Sequence, residues 1–158
     1  FIEPTQQIRS LGVKLKHNVN KSLIKDKSLI LIDDSLVRGT TSVKIIKMLY
    51  EAGAKEVHLR IASPPVKYPD YYGVDTPDQN ELLASKHNLE SMRKYINATT
   101  LQFLSLEGLY KSMGYEKRNS PYPQFTDHCF TGDYPVKPID ANNKDFVDNQ
   151  LSFMSSKS

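Results

Sequence analysis

Residues 29–42 read Leu-Ile-Leu-Ile-Asp-Asp-Ser-Leu-Val-Arg-Gly-Thr-Thr-Ser, and few folds accommodate that order. Four consecutive apolar residues ending in two acids make a short strand, and the absence of alternation predicts a central strand covered on both faces. The strand carries Asp33 and Asp34 to its carboxyl end, the edge at which open parallel sheets bind ligands. A short loop with Gly39 then meets a segment opened by Thr40, Thr41 and Ser42. Ile45, Met48, Leu49 and Ala52 repeat at helical spacing after it, and Gly53 stands where a helix stops. Val57-His58-Leu59-Arg60-Ile61-Ala62 is a second strand. The fold class is therefore α/β, with residues 29–62 as one right-handed βαβ unit in a parallel sheet flanked by helices.

The chemistry follows from the same segment. Free backbone N–H groups and small hydroxyls at a helix start form an anion cradle, reinforced by the helix dipole. Two carboxylates do not bind phosphate, but they suit ribose hydroxyls and a hard cation such as Mg²⁺. Acids beside an anion cradle suit a sugar phosphate with a metal. Each part has a plainer explanation. Hydroxyls at a helix start usually only cap it, and paired acids at a strand end also occur in receiver domains and haloacid-dehalogenase-like enzymes. The fixed order of strand, acids, loop, glycine and threonines is more informative than any part. Its spacing excludes the G-x-x-x-x-G-K phosphate loop.

The remaining chain adds less. Residues 4–16 are expected to be helical after Pro4, with Ile8, Leu11, Val13 and Leu15 apolar; residues 17–27 read as a polar connection. Residues 63–78 form a long ordered loop in which Tyr68, Tyr71 and Tyr72 pack. Helical stretches are expected near 79–85, 89–96 and 105–113, and a strand at 101–104. The polar residues beyond Asp140 are expected to form a mobile tail. A net charge of +3 with scattered basic residues leaves no dense stripe for nucleic acid. No apolar run reaches membrane-spanning length. Cys129 is the only cysteine, so no intrachain disulfide forms, consistent with a reducing compartment. His17, His58, His87 and His128 lack metal-ligand spacing. His128 and Cys129 are adjacent, and neighbouring side chains usually point apart; Cys129 is expected to be an inert, partly buried packing residue.

Residues 29–41 resemble the phosphoribosyl pyrophosphate (PRPP) motif of type I phosphoribosyltransferases, and the form Asp-Asp-Ser-Leu-Val-Arg-Gly-Thr-Thr-Ser is similar to that of the glutamine–PRPP amidotransferase family. Phe1–Gln7, Glu51–Ala54, Arg60–Pro65, Tyr72–Pro77, Leu104–Leu109 and Cys129–Pro135 extend the resemblance to about Val136. It implies that residues 1–115 are the C-terminal part of a phosphoribosyltransferase domain, 116–139 a C-terminal extension and 140–158 a tail. The sheet would be incomplete on its N-terminal side. The glutaminase domain, the pyrophosphate loop and the lid would lie upstream of Phe1.

The resemblance further implies transfer of glutamine-derived ammonia to PRPP, giving 5-phosphoribosylamine in the first step of de novo purine synthesis. Asp33 and Asp34 would hold the ribose hydroxyls and Mg²⁺, and Gly39, Thr40, Thr41 and Ser42 the 5′-phosphate. No catalytic residue is assigned within this chain, which is expected to be inactive alone. Arg38 belongs to the motif and is open to pairing with an acid that shapes the loop. Purine nucleotides are the implied inhibitors, the full-length protein a cytoplasmic homo-oligomer without nucleic-acid or membrane partners. Some family members bind an iron–sulfur cluster through a cysteine at the position of Asp70 and a pair at 126 and 129. Thr126 replaces one of that pair, so no iron–sulfur cluster is expected. A PRPP-sensing regulator and a salvage phosphoribosyltransferase are the alternatives. No DNA-binding segment supports the first, and the match beyond residue 60 speaks against the second.

Overall fold

The computed structural model describes residues 19–76 and 78–136. The expected helix at 4–16, Pro77 and the tail beyond Asp140 lie outside the described residues. A short helix α1 (Lys21–Ile24) occupies part of the expected polar connection, capped by the Asn20 side chain. Strand β1 (Ser28–Asp33), helix α2 (Thr40–Glu51) and strand β2 (Glu56–Ile61) follow. A single 3₁₀ turn (Gln79–Glu81) and helix α3 (Leu83–Lys86) replace one continuous helix, because Leu82 between them is extended. Helix α4 (Leu89–Ile96), strand β3 (Thr100–Phe103), helix α5 (Leu106–Ser112) and helix α6 (His128–Thr131) complete the order.

The sheet is parallel, in the order β1-β2-β3. Leu29 pairs with Val57 and Leu31 with Leu59, and on the other side Leu59 pairs with Leu101. This register puts Val57, Leu59, Ile61 and Leu101 on one face, where they bury against Ile46 of α2 and Met92 and Ile96 of α4. Each such aliphatic chain, withdrawn from water, contributes about 1.5–3 kcal/mol.

Among the described residues the strand expected to be central has a neighbour on one side, the other being the side on which the resemblance leaves the sheet incomplete. β1 is the edge strand, and Ile30 and Ile32 are 69% and 72% exposed. Its opposite face, with Leu29 and Leu31, packs on the core. A continuous apolar run records what a strand needs covered, and it does not say which segment does the covering. The open face also carries a polar ladder. The Ser28 hydroxyl donates to Glu56 at 2.8 Å, the His58 ring meets Ser28 at 3.1 Å and Thr100 at 2.9 Å, and Arg60 donates to Thr100 at 2.9 Å.

Leu59 is fully buried and Tyr122 is 81% exposed. Leu59→Ala is expected to destabilise the protein by about 2–5 kcal/mol and Tyr122→Ala by no more than about 0.5 kcal/mol, read from urea-unfolding midpoints.

Candidate functional site at the carboxyl edge of the sheet

β1 ends at Asp33, and six residues separate it from α2. The Asp34 amide donates to the Asp33 carboxylate at 3.0 Å, and the Ser35 hydroxyl donates to Asp34 at 2.9 Å. These local bonds fix both acids at the strand end. Asp34 is exposed and Asp33 half-buried.

The loop from Asp34 to Gly39 is pinned from three directions. Leu36 is buried in the core. The Leu83 amide donates to the Val37 carbonyl at 2.8 Å. Arg38 donates to Glu81 at 2.7 Å, so Arg38 pairs with an acid of the neighbouring turn. Both partners of that pair are about half exposed, and exposed pairs add at most about 1 kcal/mol; its effect is to orient the loop.

Gly39 precedes α2 in the left-handed conformation, φ 77°. A Cβ there would stand 2.9 Å from Leu83 Cδ2 and 3.2 Å from the Tyr95 ring. The backbone favours glycine, and any Cβ would oblige the Leu83 methyl to shift. No side chain caps α2, so the amides of its first turn keep no intrahelical acceptor and face the loop side with the positive end of the dipole. Thr40 is exposed and Thr41 half-buried, whereas Ser42 is buried. The Ser42 side chain is therefore withdrawn from solvent.

Two polar clusters escaped the sequence. The Tyr71 and Tyr72 rings pack on Tyr134 and His128, with centroids 5.5 and 5.0 Å apart respectively, as an ordered loop requires. His128 Nε2 lies 2.6 Å from Asp70 Oδ2, both largely buried. Burial would raise the Asp70 carboxyl, but the amides of Val74 and Tyr72 and the His128 ring outweigh it and hold it below the usual carboxylate range. The second cluster centres on Asp127, which is buried, with Arg118 partly buried and Asp133 exposed. Arg118 donates to Asp127 at 2.6 and 3.1 Å and to Asp133 at 2.6 Å, and Tyr110 donates to Asp127 at 2.8 Å. Burial opposes ionisation of Asp127, yet Arg118 and Tyr110 keep its carboxyl below the usual range. These partners lie 58 and 9 residues apart, with no spacing that sequence periodicity detects. Burial pushes the half-buried Cys129 thiol upward, which suits a packing residue.

No family model matches the chain. Similar proteins are found nonetheless. An amidophosphoribosyltransferase of Rhizobium etli is 56% identical over 157 residues, 99% of this chain and 32% of that protein. The chain belongs to the amidophosphoribosyltransferase family. It spans about a third of the length of this relative. A chloroplastic amidophosphoribosyltransferase of Arabidopsis thaliana is 50% identical over 96% of this chain and 27% of its own length. A solved glutamine PRPP amidotransferase from B. subtilis, complexed with ADP and GMP, superposes with a TM-score of 0.71 at 47% identity. It covers 85% of this chain and 30% of that one. The parallel sheet flanked by helices is thus the type I phosphoribosyltransferase fold of that family. No helix among the described residues is long and apolar enough to cross a membrane.

At the positions where the family resemblance places cluster cysteines, Asp70 is engaged with His128, and Cys129 offers its backbone carbonyl to the amides of Lys67 and Tyr68 at 2.9 and 3.1 Å. The loop and α6 are therefore tied together by an ion pair and main-chain bonds.

Gly39→Ala is expected to lower stability by about 1–3 kcal/mol through left-handed strain alone, with the Leu83 contact adding to it. Arg118→Ala leaves the Asp127 carboxylate buried without its cation, a loss of about 3–5 kcal/mol. Both are read from chemical-denaturation midpoints. Asp70 and Asp127 both have depressed folded pKa values, so their stabilisation is present above the unfolded value of 3.8 and is lost as pH falls through the lower folded value. Midpoints measured between pH 6 and pH 2, values chosen to bracket about 3.9, should show an acid loss that is smaller in Asp127→Asn than in the parent.

Proposed function

We propose that this chain forms the ribose-5-phosphate half of a PRPP site. In the full-length protein, ammonia released from glutamine displaces pyrophosphate at C1 of PRPP and gives 5-phosphoribosylamine, the first step of de novo purine synthesis. The observation that carries the proposal is the junction of β1 and α2: two acids at the carboxyl end of a parallel strand, a left-handed glycine and an uncapped helix start.

In this reading the amides of Thr40, Thr41 and Ser42 and the Thr hydroxyls take the 5′-phosphate, and Gly39 lets the backbone approach it closely. Asp33 and Asp34 accept from the ribose 2′- and 3′-hydroxyls. A ribose clamped at both ends presents C1 at a fixed position, so attack by ammonia becomes a matter of placement. The two acids also fit Mg²⁺. Among the described residues each has one carboxylate oxygen without a protein donor, Asp33 and Asp34 each using Oδ1 locally. No cluster of three or more ligating side chains occurs among the described residues, and Mg²⁺ is commonly held by one or two carboxylates with water and substrate oxygens. When bound, Mg²⁺ would neutralise charge on the departing pyrophosphate.

Inhibition by purine nucleotides, which present the same ribose and phosphate, belongs to the same proposal, as do homo-oligomeric assembly and the absence of an iron–sulfur cluster. Relatives named as chloroplastic mean that a cytoplasmic location is proposed for this protein rather than taken from its family.

The full-length protein is expected to release pyrophosphate from PRPP with ammonia and Mg²⁺. The double variant Asp33→Asn, Asp34→Asn should lose about 1.5–3 kcal/mol of PRPP affinity by calorimetry in Mg²⁺; unchanged affinity would reject the assignment. Protein purified without oxygen should contain no stoichiometric iron, and four irons per chain would contradict the cluster-free reading.

A further inference from the structure

A cavity of about 510 Å³ opens at the carboxyl end of β3, beyond α3 from the β1–α2 loop, and none of the residues assigned above to ribose or phosphate lines it. Its volume lies within the range of small-molecule sites. Met92, Phe103 and Leu104 form an apolar floor, and Met92 is buried. Lys67 and His87 are exposed lining residues, and among the described residues no carboxylate lines the cavity. Lys67 has no ion-pair partner among the described residues. The nearby Glu90 is engaged, at 2.7 Å from Arg93 and 3.8 Å from Lys94.

We infer that this cavity binds a small organic anion with a flat apolar body, such as an aromatic carboxylate. The apolar floor takes the ring, since burying it removes surface from water on both partners. Lys67 takes the anionic group by a charge-assisted bond at the rim, where the ammonium stays partly hydrated. A cation of the same shape would meet Lys67 with no compensating acid, and a neutral body would gain nothing from an ammonium that stays in water. The site does not depend on the phosphoribosyl assignment, because it shares none of its ligand residues.

The test uses full-length protein labelled with ¹³C-methyl methionine, the Met92 signal being identified by its loss in Met92→Ile. 2-Naphthoate is titrated as the probe, with 2-naphthamide as the neutral control. A saturable shift of the Met92 methyl is expected, weakened about tenfold or more in Lys67→Ala and abolished in Leu89→Trp, which fills the cavity from its rim. Leu89 is 48% exposed, so that replacement should leave the fold and the other methionine signals intact, with the unliganded Met92 methyl moved by the new ring and then unresponsive to the probe. Equal affinity for the amide, or no saturable shift at Met92, would overturn the inference. Equal shifts of all methionines would do the same, because they would mean unspecific adsorption.

Discussion

Gly39 occupies left-handed backbone, with the Leu83 methyl 2.9 Å from where a Cβ would stand, and the turn between strand and helix at the candidate site runs through that position. The strand must deliver its acids, turn, and begin a helix whose first amides look back toward them. A residue with a side chain would strain that backbone and require the Leu83 side chain to move. The turn is held from outside as well. Val37 accepts from the Leu83 amide and Arg38 pairs with Glu81, so the segment after residue 78 serves as the backstop of a loop more than forty residues earlier in the chain.

The stretch beyond residue 113 is organised by charge rather than by a sheet. With little apolar content beyond residue 113, the chain there is fastened by Asp127 to Arg118 and Tyr110, and by His128 to Asp70. Such buried pairs are held less by their intrinsic strength than by the penalty for breaking one partner from the other. His128 Nδ1 is buried without a hydrogen-bond partner among the described residues, so that fastening is incomplete on one side. The arrangement keeps the 63–76 loop against α6, next to the carboxyl edge where β2 and β3 end.

What the sequence disclosed depended on periodicity and local chemistry. Helix α2 was legible because apolar residues recur at helical spacing and Gly53 ends it, but the face that packs on the core runs through Val43, Ile46, Leu49 and Tyr50 rather than through Ile45 and Met48. Strand β1 was legible because four apolar residues stop at two acids. The burial of Ser42 was not, since a hydroxyl reads the same on either side of a first turn. The exposure of Ile30 and Ile32 was hidden for a related reason: an apolar run reports a demand for cover, and the cover is supplied by chain elsewhere. The Asp70–His128 and Arg118–Asp127 pairs were invisible because single acids and bases in loops carry no period. The Tyr cluster foretold that the loop would be ordered, but not which ring would face His128. Membership of the family became certain through similarity across the whole chain rather than through any one motif.

The central claim is that the phosphate sits at the start of α2 with the ribose on Asp33 and Asp34. A crystal structure of the full-length protein grown with ribose 5-phosphate and Mn²⁺ tests it most directly. The account predicts phosphate oxygens within hydrogen-bond reach, about 2.7–3.2 Å, of the amides of Thr40, Thr41 and Ser42. It also predicts ribose hydroxyls on the two carboxylates and an anomalous Mn²⁺ signal beside them. Ligand density elsewhere, with Asp33 and Asp34 facing only solvent, would contradict it.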